Sequence, residues 1–495
     1  MGVEYLSNYL KKNGHQVELV FNPKQFNKSY TRNKFLSKIF NWEEINLQEL
    51  KRIDPDLVAF SCVTANYQWA LSFAEKVKER IKKPIIFGGT HATLKPDIVM
   101  ENKQVDMVCV GEGEEVILEL ANSMDKGEKR IDIKNIWFRV GDQIIRNEAR
   151  QLEEDIDKYE MDRPLFFKKL PSNYRKNPYF LTSRGCPFNC TYCGNEQKRK
   201  VYSGKGKYLR QKSVEKVILE LKKLKDFGAK RIIFVDDVLT MDRIWFRKLI
   251  EQYKKEIALP FICFVHPKMF DEELAGLLKE GRCQLVWYGI QSGSEEIRKK
   301  ILDRFESNEE IIQAANLCKK FKLKFMVDHI FDIPFDNDIK KSINLYNEIK
   351  PYMLNCYNLL YFPSSKIVMH AISAGILKAG DLYKIDRGQS IVYQTGALSA
   401  KSGELRDNYG KYALLLTMIP ILPKKWIEKI ASSEKNMERF SRLPVFLIPF
   451  IKLFLSFRMG YSFIYMGVIN TELFWIRRFL SIKIKNFYFP SKVKA

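Results

Sequence analysis

The 495-residue chain predicts an α/β protein with a helical C-terminal region. Three observations carry that expectation. Short apolar runs alternate with amphipathic helix patterns up to about residue 141, and again from about 176 to 385. Such alternation gives parallel sheets covered by helices. Glycine-containing loops follow several of the runs, at the carboxyl ends where α/β sheets bind ligands. Beyond about Ala400 the alternation stops, and helices rich in Leu, Ile and Phe take over. The length suggests two or three domains, and a hydrophobic content of 46% is ample for their cores.

In the first stretch, Val3 to Asn13 reads as a helix with Val3, Leu6 and Leu10 on one face and Gly14 ending it. Val17 to Phe21 reads as a strand and Asn46 to Ile53 as a short helix. Leu57 to Cys62 is a buried strand, followed by the loop of Ser61, Thr64 and Asn66 and a helix over Trp69 to Ile81. Ile85 to Phe87 is a strand ending in Gly88-Gly89-Thr90-His91, and Val105 to Val110 one ending in Gly111-Glu112-Gly113-Glu114. Small residues there let a bulky ligand approach the backbone. Residues 142–175 form a linker, the part from Asp142 to Asp162 being a charged connector.

In the second stretch the strands are Tyr179–Thr182, Arg231–Val235, Phe261–Val265, Leu285–Tyr288, Lys324–Ile330 and Leu354–Leu360. Helices such as Ser213–Phe227 and Trp245–Lys255 lie between them. After the first of these strands comes Ser183-Arg184-Gly185-Cys186-Pro187-Phe188-Asn189-Cys190-Thr191-Tyr192-Cys193, three cysteines spaced C-x3-C-x2-C. Thiolates are the usual ligands of iron–sulfur clusters. Three on one tight loop can hold three irons of a cubane and leave the fourth open. Gly185, Pro187 and Asn189 mark a loop and not a packed helix face, which disfavours inert core thiols. A structural zinc site wants four ligands, often as two C-x2-C pairs, and no second pair exists.

This motif resembles that of the radical S-adenosylmethionine (SAM) superfamily. The resemblance implies a partial (β/α)6 barrel, a 4Fe–4S cluster held by Cys186, Cys190 and Cys193, and SAM chelated by the open iron and reductively cleaved to a 5′-deoxyadenosyl radical. It places Tyr192 near the adenine and at least one of Asp236 and Asp237 at the SAM amino group, although such a pair also suits a helix N-cap. Gly289-Ile290-Gln291-Ser292-Gly293 resembles the family's Gly-Ile-Glu-Ser-Gly, with Gln291 replacing the glutamate. Ser292 is then a ribose or carboxylate contact, and Ile330 packs on adenine. His266 and His329 stand at strand ends facing the cavity, as structural residues or as substrate or proton-transfer groups. The sequence names no catalytic acid or base.

Residues 1–141 resemble the Rossmann-like cobalamin-binding domain that precedes many such barrels. The matching pieces, in order, are Gly2-Val3-Glu4-Tyr5-Leu6, Asp54-Pro55-Asp56-Leu57-Val58, Gly88-Gly89-Thr90-His91-Ala92-Thr93 and Val110-Gly111-Glu112-Gly113-Glu114. The resemblance implies cobalamin contacts from Ser61, Thr64, Asn66, Gly88, Gly89, Thr90, Gly111, Glu112 and Gly113. Leu152-Glu153-Glu154-Asp155-Ile156-Asp157 resembles the family's acidic interdomain linker. The family's first, central strand and the Asp-x-His-x-x-Gly loop found in some members are missing, so the natural start is expected upstream of Met1, or the chain is a fragment.

Composition sets the remaining bounds. Lys and Arg number 83 against 59 Asp and Glu, a formal charge of +24. That balance suits solvated lysine faces or an anionic membrane surface; no RNA-binding signature supports nucleic acid. Nine cysteines without a paired framework suit the reducing cytoplasm. Met1 to Val20 is no signal peptide, and Leu6 stands where a myristoylation signal needs Ser or Thr. In the region 386–495, Leu443 to Phe457 is apolar but interrupted by Pro444, Pro449 and Lys452. With Trp475, Tyr488 and Arg458, Arg477, Arg478, Lys483 and Lys485 it reads as a helical cap on the barrel or a peripheral membrane contact, the two being compatible.

The expected activity is cobalamin-dependent radical C-methylation of a small-molecule or lipid substrate, with an external electron donor. Radical cyclisation or rearrangement, SAM cleavage with a degenerate front domain, and an iron–sulfur electron-transfer module are the alternatives.

Overall fold

Two sheets organise the chain in the computed structural model, which describes residues 1–23, 33–389, 407–443, 447–460 and 462–488. The first sheet runs β1 (Val58–Ser61), β2 (Ile85–Gly88), β3 (Met107–Cys109), β4 (Ile136–Val140), β5 (Gln143–Arg146), in that order. The first three strands are parallel and the last two add antiparallel. Leu47, Leu50, Phe73 and Val77, from helices Glu43–Ile53 and Tyr67–Arg80, cover one face over Val58 and Phe87. Leu6, Leu10, Val116 and Leu120, from helices Gly2–Lys12 and Glu114–Asp125, cover the other over Ile86 and Met107.

Two expectations fail here. Residues 17–20 carry no ladder, and β1 pairs only with β2, so the strand over Val17 to Phe21 does not form. A strand needs a neighbour for its backbone groups, and among the described residues that segment has none. The connector from Asp142 instead begins with β5: the turn at Gly141, with φ +59°, reverses the chain so that Ile144 and Ile145 pair with Arg139 and Phe138.

The second sheet is wholly parallel: β6 (Tyr179–Phe180), β9 (Ile232–Phe234), β10 (Phe261–Phe264), β11 (Cys283–Gln291), β12 (Lys324–Phe331), β13 (Met353–Asn358) are neighbours in chain order. The short β7 (Ser183–Arg184) and β8 (Arg210–Gln211) pair with each other beside it. This is the partial (β/α)6 barrel. Its helices begin at caps the sequence supplies: Ser213, Asp242, Asp271 and Ser307 each accept a backbone N–H three residues on, and losing such a cap costs about 1 kcal/mol.

Alternation along the strands sorts residues between lumen and helix layer. Phe264, Trp287, Met326 and Met353 are successive ladder partners on the inward face, as are Gly289, Asp328 and Asn355 one step higher. Val286, Phe325, Val327 and Leu354 face outward into the main core. Helix Leu447–Met459 closes the lumen, setting Leu455 and Met459 among Ile233, Ile262, Leu285, Met326 and Met353. The last helix, Ser462–Tyr488, returns to the front domain, where Trp475 and Phe479 pack on Trp42 and Ile45. The cap reading therefore holds. Trp475 is 2% exposed and is not an interfacial ring, because Trp42 and Phe21 bury it. Pro444 and the side chains of Lys485 and Tyr488 lie outside the described residues. Among the described residues no helix is long and apolar enough to cross a membrane.

Candidate active site

The three cysteines lie on the loop from Gly185 to Gly194, between β7 and helix Asn195–Val201. The loop is fixed from several sides. Gly185 has φ +91°, and a Cβ there would stand 2.7 Å from the Tyr208 carbonyl oxygen, so only glycine fits. Arg199 donates to the carbonyls of Cys186 and Phe188 and to Asn189 Oδ1. Thr191 N–H donates to the Leu302 carbonyl at 3.1 Å, and the Thr191 carbonyl accepts from Ile367 N–H. All three thiols are partly exposed. Burial pushes Cys186 up to about 12 and raises Cys193, and each feels the neighbouring cysteines.

Among the described residues no three His, Cys, Asp or Glu side chains converge on one ion. A polynuclear cluster takes each thiolate on a separate iron and so does not need the three to converge on one point. The donor set of three thiols on a pinned loop fits a 4Fe–4S cluster.

Behind the loop stands Arg304, a residue the sequence did not single out. Its guanidinium donates to Tyr192 Oη at 3.3 Å, to the Gly289 carbonyl at 2.7 Å and to Glu306 Oε1 at 2.6 Å, and lies 3.8 Å from Cys190 Sγ. It also meets His266 Nε2 at 3.3 Å. His266 stacks on Phe188 at 4.2 Å, and burial with the Arg304 charge depresses it to about 3. His266 is thus a neutral wall of the cluster loop. The available signal for Arg304 was one basic residue in the loop between helices Glu295–Lys300 and Asn308–Lys320, too common to stand out.

Tyr192 and Ile330 meet in one apolar cluster with Leu302, Ile333 and Leu359. Asp237 accepts from Asn195 Nδ2 at 2.9 Å, and its charge is felt at Cys186 and Cys193. Asp236 points the other way. Its Oδ1 accepts from Thr182 N, Thr182 Oγ1 and Ser183 Oγ, while Oδ2 has no partner, and burial raises it to about 6 despite those bonds. Ser292 is fully buried; its hydroxyl donates to Asp336 at 2.7 Å and accepts from Ser294 N–H. His329 does not face the cavity. Its ladder partner is Cys356, on the helix side, and Nδ1 meets Tyr346 Oη at 3.1 Å. The strand alternates, so a residue next to the inward Asp328 and Ile330 must face out.

At the first sheet, the strand ends divide. Beyond β1, Ser61, Val63 and Ala65 are exposed and Asn66 half-buried, its Oδ1 capping Val63 N–H. Thr64 is buried, its Oγ1 3.2 Å from His91 Nδ1. Beyond β2, Gly88 and Thr90 are half-buried, and a Cβ on Gly89 would stand 2.6 Å from the Cys62 carbonyl oxygen, so that glycine serves strand packing. His91 Nε2 is buried without a partner, an orphaned polar atom at the end where a polar ligand group is expected. Beyond β3, by contrast, the loop belongs to the barrel. Tyr202 Oη fills the niche over Gly111 and accepts from Glu112 N–H, and Leu6 packs on Gly113. Glu112 pairs with Arg184 at 2.8 Å and with Arg210; Glu114 pairs with Arg184 at 2.6 Å. The exposed β1 end and the half-buried β2 end, with the orphaned imidazole, fit cobalamin; the β3 loop grips Arg184, two residues before Cys186.

Comparison with known proteins agrees with this architecture. Residues 180–345 match the radical SAM superfamily and residues 1–121 the B12 binding domain. An uncharacterized methyltransferase of Pyrococcus horikoshii is 27% identical over 339 residues, 66% of this chain and 72% of that protein. Anaerobic magnesium-protoporphyrin IX monomethyl ester cyclase of Cereibacter sphaeroides is 27% identical over 270 residues, 52% of this chain and 40% of that one. The radical SAM methyltransferase TsrM from Kitasatospora setae, solved with cobalamin and a [4Fe-4S] cluster bound, shares the fold with a TM-score of 0.60 at 17% identity, over 74% of this chain and 73% of its own. With both domains matched in order around a three-cysteine loop, the chain belongs to the cobalamin-binding-domain-containing radical SAM superfamily, an enzyme of 4Fe–4S cluster, SAM and cobalamin.

Proposed function

We propose that the protein methylates an unactivated carbon of a small-molecule substrate. The observation that carries the reading is the Glu112–Arg184–Glu114 clamp, which ties the β3 loop of the B12 domain to the start of the three-cysteine loop and so supports a reaction that draws on both domains. When bound, the cluster with SAM supplies a hydrogen-abstracting radical and cobalamin supplies the methyl group. The protein's part is placement and exclusion of water.

Cys186, Cys190 and Cys193 hold the cluster. Tyr192 and Ile330 offer an apolar wall for adenine, and Asp237, beside the cluster loop, suits the SAM amino group better than Asp236, whose Oδ1 is already engaged. Ser292 contacts SAM only by giving up Asp336. Ser61, Thr64, Asn66, Gly88, Gly89 and Thr90 form the cobalamin side; Gly111, Glu112 and Gly113 frame it through the clamp. Below, Trp287, Asp328 and Asn355 line the lumen, with Asn355 Nδ2 donating to Asp328 at 3.2 Å, and give substrate a polar floor.

The likeness to the ester cyclase favours a second reading, radical cyclisation without methyl transfer. The test is anaerobic reconstitution followed by measurement of cobalamin per cluster and of label from methyl-labelled SAM. One cobalamin per cluster, with label in product alongside 5′-deoxyadenosine, supports methylation. 5′-Deoxyadenosine with unlabelled product points to cyclisation. A cluster that never retains cobalamin overturns both.

A further inference from the structure

Helix Leu447–Met459 has two unlike faces. Leu455 and Met459 are buried in the barrel lumen and Ile448 in the core behind it. Phe450, Phe454 and Phe457 point outward, 66%, 57% and 58% exposed. Their spacing puts them on one stripe of the helix, and the buried face fixes that stripe outward. Three phenyl rings left in water on a locked element amount to an apolar patch that wants a partner.

The charge around the stripe says which partner. From Arg439 to Thr471 the sequence has no Asp or Glu, while Arg439, Arg442, Lys452 and Arg458 lie within it. Lys452 is turned inward and 3% exposed. Arg439 and Arg442 precede the stripe, Arg442 pairing with Glu438 at 3.1 Å, and Arg458 follows it, its Nη1 3.3 Å from the Pro420 carbonyl oxygen. The adjoining Ile421 is 37% exposed. A second copy of the chain would bring a segment with no acid from Arg439 to Thr471 against the same segment of this one, in a protein of net charge +24. An anionic lipid surface accepts aromatic rings at its headgroup boundary and attracts flanking arginines.

We infer that the Phe450–Phe454–Phe457 face docks the enzyme on an anionic bilayer, with the barrel directly behind the docking helix. The inference stands independently of the methylation reading.

The test is co-sedimentation of the reconstituted full chain with phosphatidylcholine vesicles, with and without phosphatidylglycerol. The chain should bind the anionic vesicles and release as salt rises. The triple variant Phe450→Ser/Phe454→Ser/Phe457→Ser should lose at least about tenfold in partitioning, while the corresponding Phe→Leu variant keeps most of it. Iron content and melting temperature should stay at wild-type values in both. Absence of vesicle binding, or binding equal in wild type and serine variant, overturns the inference. So does a wild-type dimer that the serine variant converts to monomer, since the face would then be a copy interface.

Discussion

Two arginines, Arg304 buried and Arg184 half-buried, adjoin the cluster loop, and they differ in what they touch. Arg184 reaches into the front domain, between Glu112 and Glu114 and against the rings of Tyr5 and Tyr159. Arg304 stays within the barrel and reaches Cys190 and Tyr192 directly. A cation 3.8 Å from the Cys190 sulfur is placed to act on the electrons of a cluster that this thiolate would hold. A cation held by carboxylates of another domain acts on position. The same side chain therefore serves tuning at one site and alignment at the other.

The bluntest way to break the comparison removes what both arginines serve. Cys190→Ala should abolish cluster incorporation, read as loss of bound iron and of the broad visible absorption, with the secondary structure by circular dichroism unchanged. If iron stays at wild-type stoichiometry, the ligand assignment is wrong.

Next, Arg304→Gln withdraws a fixed positive charge that favours the reduced, more negative cluster. The midpoint potential should fall by roughly 50–100 mV. Glu306→Gln, removing the opposing charge, should move it the other way. An EPR-monitored redox titration reads both, and equal potentials in all three proteins would reduce Arg304 to a structural brace.

The Glu112→Gln/Glu114→Gln pair should leave the potential where it is. It leaves the Arg184 guanidinium, largely buried, without a counter-charge, and should lower stability by about 2 kcal/mol and loosen the front domain from the barrel. Denaturant unfolding and limited proteolysis of the linker check this. A potential shift as large as that of Arg304→Gln would erase the distinction between the two arginines.

The smallest effect tests the lumen floor. Burial raises Asp328 to about 6, outweighing the lowering by Trp287, Asn355 and Lys452. A carboxyl raised on folding favours the protonated form, so its ionised form weakens the fold increasingly as pH climbs from about 4 through 6. Asp328→Asn should then stabilise by about 1–2 kcal/mol at pH 8, allowing for its partial exposure, and by almost nothing at pH 4. A pH-independent difference between the melting curves would contradict that placement.

What could be read in advance followed local rules. The barrel strands stood out because apolar runs bounded by caps such as Ser213 and Asp242 leave few alternatives, and the cluster loop because three thiols at that spacing have one economical use. The sequence by itself determined the fold class and the barrel strand positions and pointed to Cys186, Cys190 and Cys193 as candidate cluster ligands, since those depend on neighbours within a few residues. It could not show that Val17 to Phe21 lacks a pairing partner, that His329 faces Tyr346, that Trp475 is buried by Trp42, or that the β3 loop holds Arg184. Only the tertiary structure decided these. Pairing, the facing of a side chain across a bulged strand and the destination of a charge depend on segments 17 to more than 400 residues away, and no local pattern carries that information.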